Sequence, residues 1–443
     1  MMTPDGCGVE GQPWIAGRWI SHLARGPARV LCISGMIFSS ILAAPSRGQG
    51  PSAVAQLDSL LTVHSRVVEL TGGTLGGPGG QFILDQGARA QFVALGEAHN
   101  TSDIPRFVTA LFRALEARAG YHYYAEEQDP VTMEMISKPP RRGNRDSVVA
   151  VSRRDPFAYT FMADQELEML ADIGAASTAR ADPIWGCDQA FGATHILTQL
   201  IALPLSDEAR AFATALRDTA AAKERVRDLD KYHYMAREPK SAAFAQLQRL
   251  VHAAPGTDAD HLVRDLVASD RMYRNWVEGR RYDNGYEREE WMKSCFLDHY
   301  RRAEARDHAP PRVLLKFGHW HLFRGLGPSN LQTLGDFVSE FAESNRGQSF
   351  HIAIFANNPP GSAEGDLSTW SDSTPALLAR RAPQTEWTIV DLRALRPDYA
   401  PLTAALSPAQ RDNFRRWIFG FDAALFIGGL RPGTYVFNPG VKY

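Results

Sequence analysis

The chain has 443 residues, 44% of them hydrophobic and 22% charged, with 48 Lys plus Arg against 50 Asp plus Glu and a formal net charge of -2. That is ordinary globular composition, long enough for a sizeable core, and it offers no cationic excess with which to release counterions from a polyanion. A nucleic-acid partner is therefore not expected, and the basic run "PPRRGNRDSVVAVSRRD", Pro139 to Asp155, reads as a solvated loop.

At the N-terminus, Arg18, Arg25 and Arg29 precede "VLCISGMIFSSILAAPS", which runs out into Leu42, Ala43 and Ala44 before Pro45. Basic residues, a short apolar run and a small-residue site make a secretory signal pattern, and the run is well under the roughly 20 residues of a membrane-spanning helix. Residues 1–50 are therefore assigned to a signal peptide and disordered N-terminus. Residues 51–443 are assigned to one exported domain, periplasmic or secreted, without a stable membrane anchor. Loss of the leader removes Cys7 and Cys32 and leaves Cys187 and Cys295, which could pair or remain separate buried thiols. No CxxC is present, so a thiolate zinc site is not expected.

Past the leader, "TGGTLGGPGG" (Thr71 to Gly80) reads as a flexible loop and lacks the ending of a phosphate loop. Seven short apolar runs follow: "QFVALGE", "YHYYAEEQ", "PIWGCDQ", "RVLLKFGHW", "FHIAIFANN", "EWTIVDL" and "AALFIGG". Apolar residues on consecutive positions suit strands covered on both faces, as in a parallel sheet. Helical spacing predicts a helix over Asp103 to Ala119, with Ser102 or Asp103 as N-cap and Gly120 as its end, and others over 190–203, 206–229 and 329–343. The stretch from about 206 to 307 holds no convincing strand and reads as a helical insertion. The fold class is thus α/β, a mainly parallel central sheet with flanking helices.

The polar residues gather at the strand ends. "QFVALGE" ends in Glu97 with His99 beyond, "YHYYAEEQ" in Glu126 and Glu127, "PIWGCDQ" in Asp188, and "RVLLKFGHWH" in His319 and His321. In a parallel sheet these ends share the carboxyl edge, where ligands bind, and the helix start after Asn100 would favour an anion there. Two chemistries fit. His99 or His321, oriented by Glu97 or Glu127, acts as general base on water. Alternatively, a divalent metal (Zn or Mn), drawn from Glu97, His99, Glu127 and His321, activates the water. No G-x-S-x-G elbow occurs. Tyr286, Trp291 and Phe296 read as core, and His195 as a residue of a helix face.

Together "LGEAHNTSDIPRF", "YAEEQDP", "WGCDQAFG", "YEREEWM" and "FGHWHLFRG" resemble the erythromycin esterase-like group, within a superfamily that includes the ChaN haem-binding and TraB/Tiki proteins. The resemblance spans about Gln91 to Phe323. It implies an EreA/ChaN-like fold and an exported hydrolase of a small-molecule or peptide substrate, with a haem or iron carrier or a metal-dependent protease as alternatives. Residue by residue, it implies catalytic roles for Glu97, His99, Glu127 (Glu126 the alternative) and His319 or His321. It further puts Asp188, Arg288 and Glu289 at the pocket. The chain departs from the esterase pattern in its H-W-H element, which leaves open which of His319 and His321 faces inward.

Overall fold

The computed structural model describes residues 52–155, 157–177, 180–224, 235, 240–362, 367 and 374–438. The proposed leader, with its arginines and its two cysteines, lies outside these residues. Nine strands form one sheet among them: β1 Ser65–Thr71, β2 Thr74–Gly76, β3 Phe92–Glu97, β4 Tyr123–Glu126, β5 Ile184–Gly186, β6 Val313–Gly318, β7 Ser349–Ala356, β8 Trp387–Asp391 and β9 Ala423–Ile427. Their order is β2-β1-β8-β9-β7-β3-β6-β4-β5. The run from β9 to β5 is parallel throughout, whereas β8 lies antiparallel to both of its neighbours, and β1 to β2. All seven expected strands form, and the sheet is mainly parallel with helices on both faces.

Consecutive apolar residues supply two cores. From β3, Val93 and Leu95 enter one apolar cluster and Phe92 and Ala94 the other. From β6, Leu314 faces the first and Val313, Leu315 and Phe317 the second. Burial on both faces is what makes these runs continuous rather than alternating.

Two local readings are corrected. The glycine-rich stretch is no loose loop: Gly72 and Gly73 turn the β1–β2 hairpin with φ of 58° and 78°, and Gly77 opens a helix, Gly77–Arg89. A backbone with positive φ at two successive positions is what a tight hairpin asks of glycine. The basic stretch is mostly the helix Arg145–Arg154, capped by Asn144, with its arginines outward. The helix Asp103–Ala119 has the expected bounds and ends at a left-handed Gly120. The others are shorter than expected, at Thr194–Ile201, Asp207–Glu224 and Leu334–Ser344, and 225–229 lies outside the described residues.

Between β5 and β6 the described residues form five helices and no strand: Thr194–Ile201, Asp207–Glu224, Ser241–Val251, Asp258–Val277 and Arg281–Asp307. They carry a core of their own, including Ile196, Leu200, Phe244, Leu247 and Leu266. The long last helix, Arg281–Asp307, returns along the sheet and sets Met292 and Phe296 into the second sheet core. Tyr286, expected in the core, is 51% exposed, because it lies in the first turns of that helix, before the packed stretch begins.

Candidate functional site

β3, β4, β5 and β6 are adjacent and parallel, so their carboxyl ends meet. Glu97 ends β3, Glu127 follows β4, Asp188 follows β5, and Gly318 ends β6 just before a 3-10 turn, His319–His321. The center of the arrangement is Glu127, which is buried. Its Oε2 accepts the Gly318 amide at 2.7 Å and lies 3.5 Å from His99 Nε2. Its Oε1 accepts Arg288 Nη2 at 2.7 Å and lies 3.5 Å from His321 Nε2. Each imidazole is anchored at the other nitrogen by its own carboxylate: His99 Nδ1 by Glu97 at 3.0 Å, and His321 Nδ1 by Glu289 at 2.6 Å.

Supporting contacts fix these groups. Arg288 is held by both oxygens of Asp188, at 2.8 and 2.6 Å, and Trp291 Nε1 donates to the Asp188 carbonyl at 3.1 Å. Glu289 accepts the Leu334 amide at 2.8 Å, which joins His321 to the start of the helix Leu334–Ser344. The ring of His99 stacks on Phe161 with centroids 4.0 Å apart. Gly318 is required by space: a Cβ there would stand 2.9 Å from His99 Nε2 and 3.3 Å from Glu127 Oε2. Any larger residue would push between His99 and Glu127.

Electrostatics follow the contacts. Burial opposes ionisation of Glu127, but the two imidazoles, Arg288 and the Gly318 amide outweigh it and bring its carboxyl down to about 2. Burial likewise opposes the charged form of His321, and Glu289 with Glu127 overcomes that and raises it. Burial would lower Arg288 too, yet Asp188 and Glu127 raise it.

His319 belongs elsewhere. Successive residues of a 3-10 turn point about 120° apart, so His319 and His321 cannot face the same way. His319 Nε2 bonds the Ile354 carbonyl at 2.8 Å, its ring stacks on Phe355 at 4.8 Å, and burial lowers it to about 3. Of the two late histidines, only His321 joins the cluster. The helix start after Asn100 is also not open to an anion. The Ser102 amide is taken by the Arg431 carbonyl, and Asp103 sets a carboxylate in the first turn, paired with Arg431. His195, read as an ordinary helix residue, is buried and faces Asp129 at 3.3 Å, while Asp129 caps the helix Pro130–Ser137. Both Cys187 and Cys295 are free and buried.

Sequence reasoning missed a second polar group directly behind Glu97. Lys316, in the middle of β6 and 1% exposed, reaches Glu97 at 2.7 Å, Glu166 at 3.1 Å and Glu126 at 3.5 Å. Glu126, the alternative to Glu127, thus points into this sealed group and not at the imidazoles. The signal was available: a lysine within a strand that is apolar on both faces must find buried carboxylates.

Among the described residues, no three His, Cys, Asp or Glu side chains are grouped as the ligands of a metal ion. Nδ1 of His99 and of His321 is engaged by a carboxylate, while each Nε2 faces Glu127 across 3.5 Å.

No protein-family model and no curated sequence matches the chain. Its architecture does match solved structures. A mutant of the erythromycin esterase EreC in its open conformation aligns at TM-score 0.55 and 14% identity, over 86% of this chain and all of that one. A succinoglycan biosynthesis protein aligns at 0.55 and 14%, over 89% and 100%. A Bacillus cereus protein aligns at 0.54 and 12%, over 87% and 99%. At these identities the likeness shows a shared fold: this is an α/β chain of the EreA/ChaN-like architecture.

Proposed function

We propose that this protein is an exported hydrolase that cleaves an ester or amide by histidine general acid-base chemistry. The observation that carries the reading is the matched pair of imidazoles. Each has Nδ1 tied to a carboxylate, and each leaves Nε2 3.5 Å from Glu127, too long for a good hydrogen bond and therefore available to water or substrate. His99, the more exposed of the two at 23% against 13%, is the base that takes a proton from water, and Glu97 stabilises the imidazolium that results. His321, drawn toward its protonated form by Glu289 and Glu127, donates to the oxyanion or the leaving group.

Arg288, which the resemblance puts at the pocket, acts there through Glu127. Its Nε and Nη2 are engaged by Asp188 and Glu127, so it keeps Glu127 ionised and in place, while Asp188 positions Arg288. The likeness to an erythromycin esterase supports ester cleavage as the first activity to try. A panel of esters, amides and peptides, run on wild type and on His99→Ala, tests the reading. Hydrolysis that is lost in the variant supports it, and turnover that the variant retains refutes it. Export is part of the same proposal, and sequencing the N-terminus of protein recovered from outside the cytoplasm tests it: a start downstream of the apolar run, by about residue 51, is expected.

A further inference from the structure

Among the described residues, Lys316 is a buried cation shared by three buried carboxylates. It lies opposite Leu95 of β3 and Glu126 of β4, in the middle of the sheet, and its side chain has no exposure. The three carboxylates are not equivalent. Glu97 uses a single oxygen, Oε1, for both Lys316 Nζ at 2.7 Å and His99 Nδ1 at 3.0 Å, while its Oε2 has no hydrogen-bond partner. Glu166 and Glu126 stand farther from the ammonium, at 3.1 and 3.5 Å, and Oε2 of Glu126 and both oxygens of Glu166 lack hydrogen-bond partners.

One cation cannot offset three sealed anions, so the group must keep protons on its worst-placed members. Burial, with Glu97 and Glu126 adding to it, pushes Glu166 up to about 8, and burial raises Glu126 too. Against the same burial, Lys316 and His99 hold Glu97 below the ordinary carboxylate range. The ammonium is thereby spent on Glu97.

We propose that Lys316 is a positioning residue: its ammonium keeps Glu97 an anion aligned on His99 Nδ1 at 3.0 Å, nearer than Glu127 stands to Nε2 at 3.5 Å, which fixes the imidazole proton on Nδ1 and leaves the lone pair on Nε2. Were Glu97 to carry a proton, it would donate to Nδ1, the ring would hold its hydrogen on Nε2, and the base would be lost. The inference rests on the reading of His99 as the base, and it adds the group that sets the state of that base from behind the sheet.

The test is the tautomer of His99, read from long-range proton-nitrogen spectra of protein with labelled histidine, at a pH where the ring is neutral and with His99→Gln to assign the signal. Wild type is expected to show hydrogen on Nδ1 and a bare Nε2. The double variant Glu126→Gln/Glu166→Gln, which retains Lys316, should show the same pattern. Adding Lys316→Met leaves Glu97 as the group's one carboxyl without its cation, and should move the hydrogen to Nε2 or mix the two forms. A triple variant that keeps the wild-type pattern overturns the proposal. Should that variant not fold, wild type decides, because hydrogen on Nε2 of the native ring overturns it equally. No substrate is needed, so a protein with the expected tautomers that hydrolyses nothing refutes the hydrolase reading and leaves the role of Lys316 standing.

Discussion

Glu126 and Glu127 are neighbours in the chain and face two polar groups of opposite balance. Around Glu127, two imidazoles, a guanidinium and a backbone amide converge on one carboxylate, and the rings and Arg288 retain 13 to 23% exposure. Around Lys316, one ammonium serves Glu97, Glu126 and Glu166, and none of these side chains exceeds 1% exposure. The first arrangement can meet a solute and exchange protons with it. The second can only act on its neighbours, and Glu97 is where the two touch.

The comparison can be broken at its strongest point first. Removing the His99 imidazole should lower turnover of a confirmed ester by about 10² to 10⁴-fold, the usual worth of a positioned base, with little change in thermal midpoint. A variant with wild-type kcat would remove the reachable group from the chemistry. Next, Lys316→Met alone strands buried carboxylates and should cost about 3–5 kcal/mol in urea unfolding. A loss below about 1 kcal/mol would mean that water already reaches this group.

A smaller effect separates the two histidines of the 3-10 turn. His319→Gln should cost about 1–3 kcal/mol of stability, since it forfeits a buried hydrogen bond, and should leave kcat within a few-fold. His321→Gln should lower kcat by far more, while Glu289 losing its partner costs stability of a similar size. A further effect is in pH. Glu166 titrates near 8 when folded and in the ordinary carboxylate range when unfolded, so between those values the native state holds the extra proton. Stability from this group is therefore full at the acid side and is lost as pH rises toward 8. Thermal midpoints of Glu166→Gln should fall less than those of wild type across that window, and parallel curves would place the proton elsewhere. Chelation and haemin bear on the competing chemistries. Turnover should survive EDTA, and added haemin should show no ligated-haem band; the opposite results would favour a metal-dependent enzyme or a carrier.

Much of this was legible before coordinates. Runs such as "QFVALGE" and "RVLLKFGHW" announce strands covered on both sides, and their polar ends announce an edge with chemistry, because a parallel sheet collects those ends. What local pattern cannot state is direction: "EWTIVDL" reads like its neighbours, yet β8 runs against them. Nor can it say which way a ring turns, and the choice between His319 and His321 hung on the pitch of a three-residue turn. β1 and β2 escaped notice since glycines hid the hairpin between them. Glu166 gave no hint at all, because its partner lies 150 positions away on another element.

Arg288 and Glu289 occupy successive positions on one helix, the first holding Glu127 between the two imidazoles and the second holding His321. A slip of that helix by a single residue would swing both away together. The cluster thus draws on both the inserted helices and the pleated layer. Transplanting a foreign bundle into this chain, to alter what it recognises, will succeed only if the graft keeps that dipeptide in register.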